Sequence, residues 1–127
     1  MTRLILLILL AAAVVAYFPE SRSWALDTAR PALTPFFRWQ TNNEMNEIAR
    51  GLQTFERENY GRLPDRRQWR SWLETNYQGD AATDSWGERY HLTSGADSFR
   101  IVSSGPDRVY RSEDDLVVAR RLARPGR

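Results

Sequence analysis

A run of fifteen apolar residues, Leu4 to Phe18, follows the lone charge of Arg3 and stops at Pro19. A helix with no polar face has nothing to offer water, so this segment belongs in a bilayer or a translocon rather than on a soluble core. A spanning helix needs about 20 apolar residues. The run approaches that length towards Met1 if Arg3 stretches its guanidinium to the headgroups, with Tyr17 and Phe18 at the interface. The same run also fits the apolar core of a secretory signal, with Val14-Val15-Ala16 as a small-residue cleavage site. Either reading carries the rest of the chain out of the cytoplasm. The first gives a domain anchored in the inner membrane and facing the periplasm, the second a secreted one.

The remainder of the chain has the length for one modest core. Residues 19–40 contain Pro19, Pro31 and Pro35, and proline in a helix interior removes a donor and clashes with the preceding turn, so this stretch reads as a tether. Its Trp24, Phe36, Phe37 and Trp39 are too apolar for a solvated linker, so part of the stretch is expected to pack on the domain or to lie at the membrane surface, with core packing the first reading of the aromatics. The domain itself is expected over residues 41–127. From Asn42 onwards, Met45, Ile48, Ala49, Leu52 and Phe55 recur at three- and four-residue steps, which predicts an amphipathic helix capped by Asn42 or Asn43 and ended by Gly61. A shorter helix comes next, with Asp65 and Gln68 as a capping box and Trp69, Trp72, Leu73 and Tyr77 on one face. After Gly79 the period drops to two. Tyr90 and Leu92, then Phe99 and Ile101, predict a hairpin about Gly95-Ala96-Asp97, and Leu116 to Arg121 a third strand. The fold class is α+β: an N-terminal membrane or signal helix, then two helices on a three-stranded antiparallel sheet.

Several functions fall away on composition. Without cysteine there is no disulfide, thiolate metal site or thiol nucleophile. The one histidine, His91, lies mid-strand, and neither Glu88 nor Glu113 has a partner at a spacing that suits acid–base work, so no enzyme is expected. All eighteen basic residues are arginine, but sixteen acids balance them and they are spread along the chain, which argues against nucleic acid as a partner. Nor does any motif point to a small-molecule substrate.

Residues 103–116, Ser-Ser-Gly-Pro-Asp-Arg-Val-Tyr-Arg-Ser-Glu-Asp-Asp-Leu, hold the densest candidate site. Gly105 and Pro106 force a turn, Asp107 comes directly after it, and Asp114-Asp115 arrives where the chain re-enters the sheet. A hard cation such as calcium takes six to eight oxygens from carboxylates and carbonyls in a tight loop. The same acids are at home in a solvated turn, with Arg108 and Arg111 as their neutralising partners. On the residues alone that turn is the stronger reading, because the spacing matches no general cation-binding motif.

The order of these features resembles the periplasmic domain of the type II secretion major pseudopilin. The resemblance spans about residues 42–119: a helix ending at Tyr60, Gly61-Arg62-Leu63-Pro64, Asp84-Ser85-Trp86-Gly87, two strands, Ser103-Ser104-Gly105-Pro106-Asp107, and Asp114-Asp115. It implies a structural calcium ion held by side chains of Asp107, Asp114 and Asp115 and by carbonyls of Ser104 and Val109. It also implies partners among envelope or secretion-system proteins. Two departures stand out. Arg108 occupies a position where the family usually carries a small residue. The prepilin signature, a glycine before Phe-Thr-Leu-Ile-Glu, is missing, since the first glycine is Gly51, and the tether prolines are expected to break the helix on which assembly depends.

Overall fold

The computed structural model describes residues 19–123 and, ahead of them, residues 5, 6, 9, 10, 13 and 17. The apolar run 4–18, with its anchor and signal readings, therefore lies largely outside the described residues. Among those that are described, no helix is long and apolar enough to cross a membrane. The chain divides into two compact units, Met1–Pro35 and Phe36–Arg127.

The first helix, α1, runs from Pro19 to Glu58 with Pro31 and Pro35 inside it. The expected tether is thus helical, and its prolines do not break it. Proline at the first helical position sacrifices no bond, because that N–H has no partner within the helix. Pro31 and Pro35 forgo the bonds to the carbonyls of Asp27 and Pro31, in successive turns. Ala25, Leu26, Ala29, Ala32 and Leu33, all good helix formers, carry the backbone through. The aromatic residues depart from core packing in part: Phe36 and Trp39 are 54% and 62% exposed, while Phe37 lies edge-on to Trp86 with ring centroids 6.2 Å apart. The side chain of Trp24 lies outside what is described.

Further along α1 the periodic positions do what their spacing demands. Met45, Ile48, Ala49 and Leu52 are fully buried and form the helical wall of the core. Helix α2, Arg66–Asn76, begins with Asp65 accepting from the N–H groups of Arg67 and Gln68, both at 2.8 Å, while Gln68 accepts from the N–H of Asp65. Such a box holds the first turn by about 1 kcal/mol. Leu73 enters the core, and Trp69 and Trp72, stacked 5.6 Å apart, flank it. The indole N–H of Trp69 donates to the Tyr90 carbonyl at 2.9 Å, so the ring is both packed and polar-satisfied. At Gly51 the Tyr77 hydroxyl passes where a β-carbon would sit and donates to the Glu47 carbonyl, which joins α2 to α1.

The sheet is antiparallel in the order β1-β2-β3, with β1 His91–Ser94, β2 Ser98–Ser103 and β3 Leu116–Arg121. Phe99 and Ile101 of β2, Val118 of β3 and Tyr90 just before β1 face the helices. Val102 breaks the expected alternation, because it is buried on the opposite face. Its cross-strand neighbour is His91, and Tyr110 from the β2–β3 loop stacks on that imidazole with centroids 4.0 Å apart. The loop therefore shields the outer face of the sheet, and an apolar side chain there gains burial that strand periodicity alone would deny it.

Candidate functional site in the loop between β2 and β3

The root of the loop is closed by one glycine. Gly105 has φ +68°, and a β-carbon there would collide with the carbonyl oxygen of Asp114. Only glycine permits this approach, so the two ends of the acidic loop are held back to back. Ser104 is buried at this root, while Val109 is exposed at the crown.

Each of the three acids has its own engagement. Asp107 accepts from the N–H of Val109 at 3.0 Å. That bond, with help from the Ser112 side chain, holds its carboxyl below the ordinary value of 3.8. Asp115 accepts from the N–H of Arg111 at 2.9 Å and from the N–H and hydroxyl of Ser112, both at 3.4 Å. Asp114 meets Arg38 of α1 at 3.6 Å. No group of three His, Asp or Glu side chains able to hold a metal forms among the described residues. The five residues implied as ligands share one loop, but their carboxylates serve the loop's own backbone and α1.

The neutralising arginine is also not the one that sequence proximity suggests. Arg111 lies over the Tyr110 ring, 5.4 Å from its centroid, and Arg38, some seventy residues upstream, reaches Asp114 instead. Arg108 and Arg111 both adopt left-handed backbone, φ +58° and +69°. This accounts for the small residue expected after Asp107, since a side chain in that region costs about 1–2 kcal/mol.

A second aspartate turn, undervalued from sequence, lies behind the loop. Asp84 is 4% exposed and makes bonds with both oxygens: Oδ1 accepts from the N–H groups of Trp86 and Glu88 at 3.0 and 2.9 Å, and Oδ2 from the Ser103 hydroxyl at 2.6 Å. The Ser103 oxygen in turn accepts from the N–H of Gly105 at 3.1 Å, so a chain of bonds runs from the Asp84 turn to the root of the acidic loop. On the other side of the turn, Ser85 accepts the buried Thr41 hydroxyl at 2.8 Å and donates to the Phe37 carbonyl at 3.3 Å. Glu44 of α1 accepts the Tyr90 hydroxyl at 2.7 Å. Burial, and then that bond, push the Tyr90 phenol far above its ordinary value of 10.0. The signal that could have found this hub was Asp84 four residues before Glu88 in a Trp-Gly turn: a short acceptor heading a tight turn reaches the N–H groups just after it.

This network ties α1, the Asp84 turn and the end of β2 together. His91 is stacked on Tyr110, and Asp84 and Glu44 are spent on structural bonds. No protein family, curated protein or solved structure matches this chain.

Proposed function

We propose that this chain is a non-catalytic, membrane-anchored extracytoplasmic scaffold of pseudopilin type, acting through protein–protein contacts in secretion or envelope assembly. The observation that carries the reading is α1. Residues Pro19–Glu58 are helical with Pro31 and Pro35 among them, which weakens the objection that prolines raise against a pilin-like stem, and the Met45–Leu52 face packs in the core with the sheet. The apolar run 4–18 supplies the anchor in this reading, and the order of Asp84-Ser85-Trp86-Gly87, Ser103, Gly105, Asp107 and Asp114-Asp115 supplies the likeness of the head.

Calcium enters this proposal as an ion that would compete with Arg38 for Asp114, while Asp107 and Asp115 keep acceptor sites beyond those that their N–H donors occupy. The loop already has a fixed shape from those bonds, so the scaffold role does not depend on the ion.

Two experiments test the reading. The full chain, expressed with a C-terminal reporter, is expected in the membrane fraction and open to protease added from the periplasmic side. A reporter protected from that protease, or recovered in the soluble cytoplasmic fraction, overturns the proposal. Calorimetric titration of calcium into the detergent-solubilised chain then decides the loop. Heat near one ion per chain, lost in Asp107→Ala and Asp115→Ala and accompanied by a raised Tm, assigns the ion. Absence of heat at millimolar calcium leaves a loop neutralised by Arg38.

A further inference from the structure

Glu56, in the last turn of α1, is 1% exposed, and neither of its carboxylate oxygens has a hydrogen-bond partner among the described residues. Its backbone carbonyl is well used, accepting from the N–H groups of Asn59 and Gly61, so the helix end that places it is firmly built. A buried carboxylate without donors is costly, so the group calls for something that completes it: a proton, a water, an ion or a donor brought by a partner. Beside it lies a cavity of about 270 Å³ lined by Gln53, Glu56, Arg57, Arg121, Leu122 and Ala123. That is below the ~300–1,000 Å³ typical of small-molecule sites and suits a single long side chain.

The charges around the cavity narrow the occupant. Arg57, exposed, donates its Nε–H to the Gln53 carbonyl at 3.1 Å, and Arg121, exposed at the end of β3, lines the same cavity. A bare metal ion would meet one carboxylate and two guanidinium groups, and a simple anion would meet Glu56. A basic side chain between two acidic neighbours satisfies all three: its cation enters towards Glu56 while the flanking acids pair with Arg57 and Arg121. Two unpartnered oxygens on one carboxylate match the two-pronged donor of a guanidinium better than a single ammonium.

We infer that the Glu56 cavity is the receptor for an arginine side chain of a partner protein, presented between acidic residues. This gives the scaffold a defined contact that the membrane-anchored reading leaves unassigned. A chain that fractionates with membranes yet fails to bind an acid-flanked arginine peptide loses this inference alone.

The probe is the peptide acetyl-Glu-Arg-Glu-amide, titrated into the isotopically labelled full chain in detergent micelles. Saturable shifts are expected at the backbone amides of Gln53, Arg57, Leu122 and Ala123, with affinity falling about tenfold or more in Glu56→Gln, as when one partner of a buried charge pair is removed. Acetyl-Gln-Arg-Gln-amide and acetyl-Glu-Gln-Glu-amide should each bind more weakly than the probe. Ala123→Trp, which fills the cavity and keeps the carboxylate, should abolish binding and decides the matter if Glu56→Gln fails to fold. Equal affinity for Glu56→Gln and the parent chain, equal affinity for acetyl-Glu-Gln-Glu-amide, or no saturable shift at millimolar peptide overturns the inference.

Discussion

Asp84 and Asp107 each head a turn, and each accepts hydrogen bonds from the backbone just after it. Asp84 is buried, and its second oxygen reaches nineteen residues along the chain to Ser103 in β2. Asp107 is exposed, and its bonds end inside its own loop. Away from water a carboxylate needs all its acceptor sites filled, and filling them from a distant strand ties separate elements together. At the surface water competes for every bond, so the same side chain shapes a loop and little more. The acid-rich loop attracts attention in the sequence, yet the lone buried aspartate behind it holds more of the fold.

The largest break in this contrast is expected from Asp84→Ala. It strands the N–H groups of Trp86 and Glu88 and the Ser103 hydroxyl, at a cost of about 4.5 kcal/mol or more given about 1.5–3 kcal/mol for each of the three bonds to a charged acceptor. Against a typical domain stability of about 5–15 kcal/mol, that brings the fold close to unfolding. A urea midpoint within experimental error of the parent chain would mean that the Asp84 network carries no net stability. Gly105→Ala should rank second at about 2–3 kcal/mol, because it forces a side chain into left-handed backbone and against the Asp114 carbonyl. Its signature is a loss of the Tyr110–His91 stack, visible as altered loop chemical shifts, while Phe99 and Ile101 keep theirs.

Acid and alkali separate the two regions without mutation. Tyr90 keeps its proton in the folded state at pH values where the unfolded chain gives it up. Its contribution is therefore complete below pH 10 and is lost as pH rises beyond that. Asp107 runs the other way: its carboxyl is held low, so its contribution is present above the ordinary value of 3.8 and disappears as pH falls through the lower folded value. The alkaline fall should be global and should shrink in Tyr90→Phe, leaving the part that comes from Tyr77, whose phenol is also raised by burial and then by Glu47, whereas the acid change should be confined to residues 105–115. The smallest effect is expected from Arg38→Gln. Its half-exposed pair with Asp114 is worth about 0.5 kcal/mol and is screened by salt, so a large salt-independent loss would show that Arg38 does more than balance charge.

Local chemistry made much of the fold legible. The steps from Met45 to Leu52, the capping box of Asp65 and Gln68, the alternation of Phe99 and Ile101, and the strand Leu116–Arg121 all appear where short-range pattern placed them. The misses share a cause. Pro31 and Pro35 read as breakers, because proline's cost is local and visible whereas the cooperativity of the long helix around them is not. Phe36 and Trp39 read as core because hydrophobicity says nothing of whether a partner surface lies opposite. Nothing in the local pattern marks Glu56 for burial, since that depends on what packs against the last turn of α1.

In the acidic loop, the residues determined by themselves where the chain must turn: Gly105 and Pro106 allow little else, and the aspartates beside them supply acceptors for the N–H groups that a turn leaves open. Only the tertiary structure decided what those acids meet. Arg38 comes from a different element, Tyr110 finds its stacking partner on β1, and Ser103 is recruited by Asp84 from across the sheet. Backbone preference acts over a few residues and can be read in order along the chain. The pairing of charges and rings depends on separations in space, which exist only once the helices and sheet have packed.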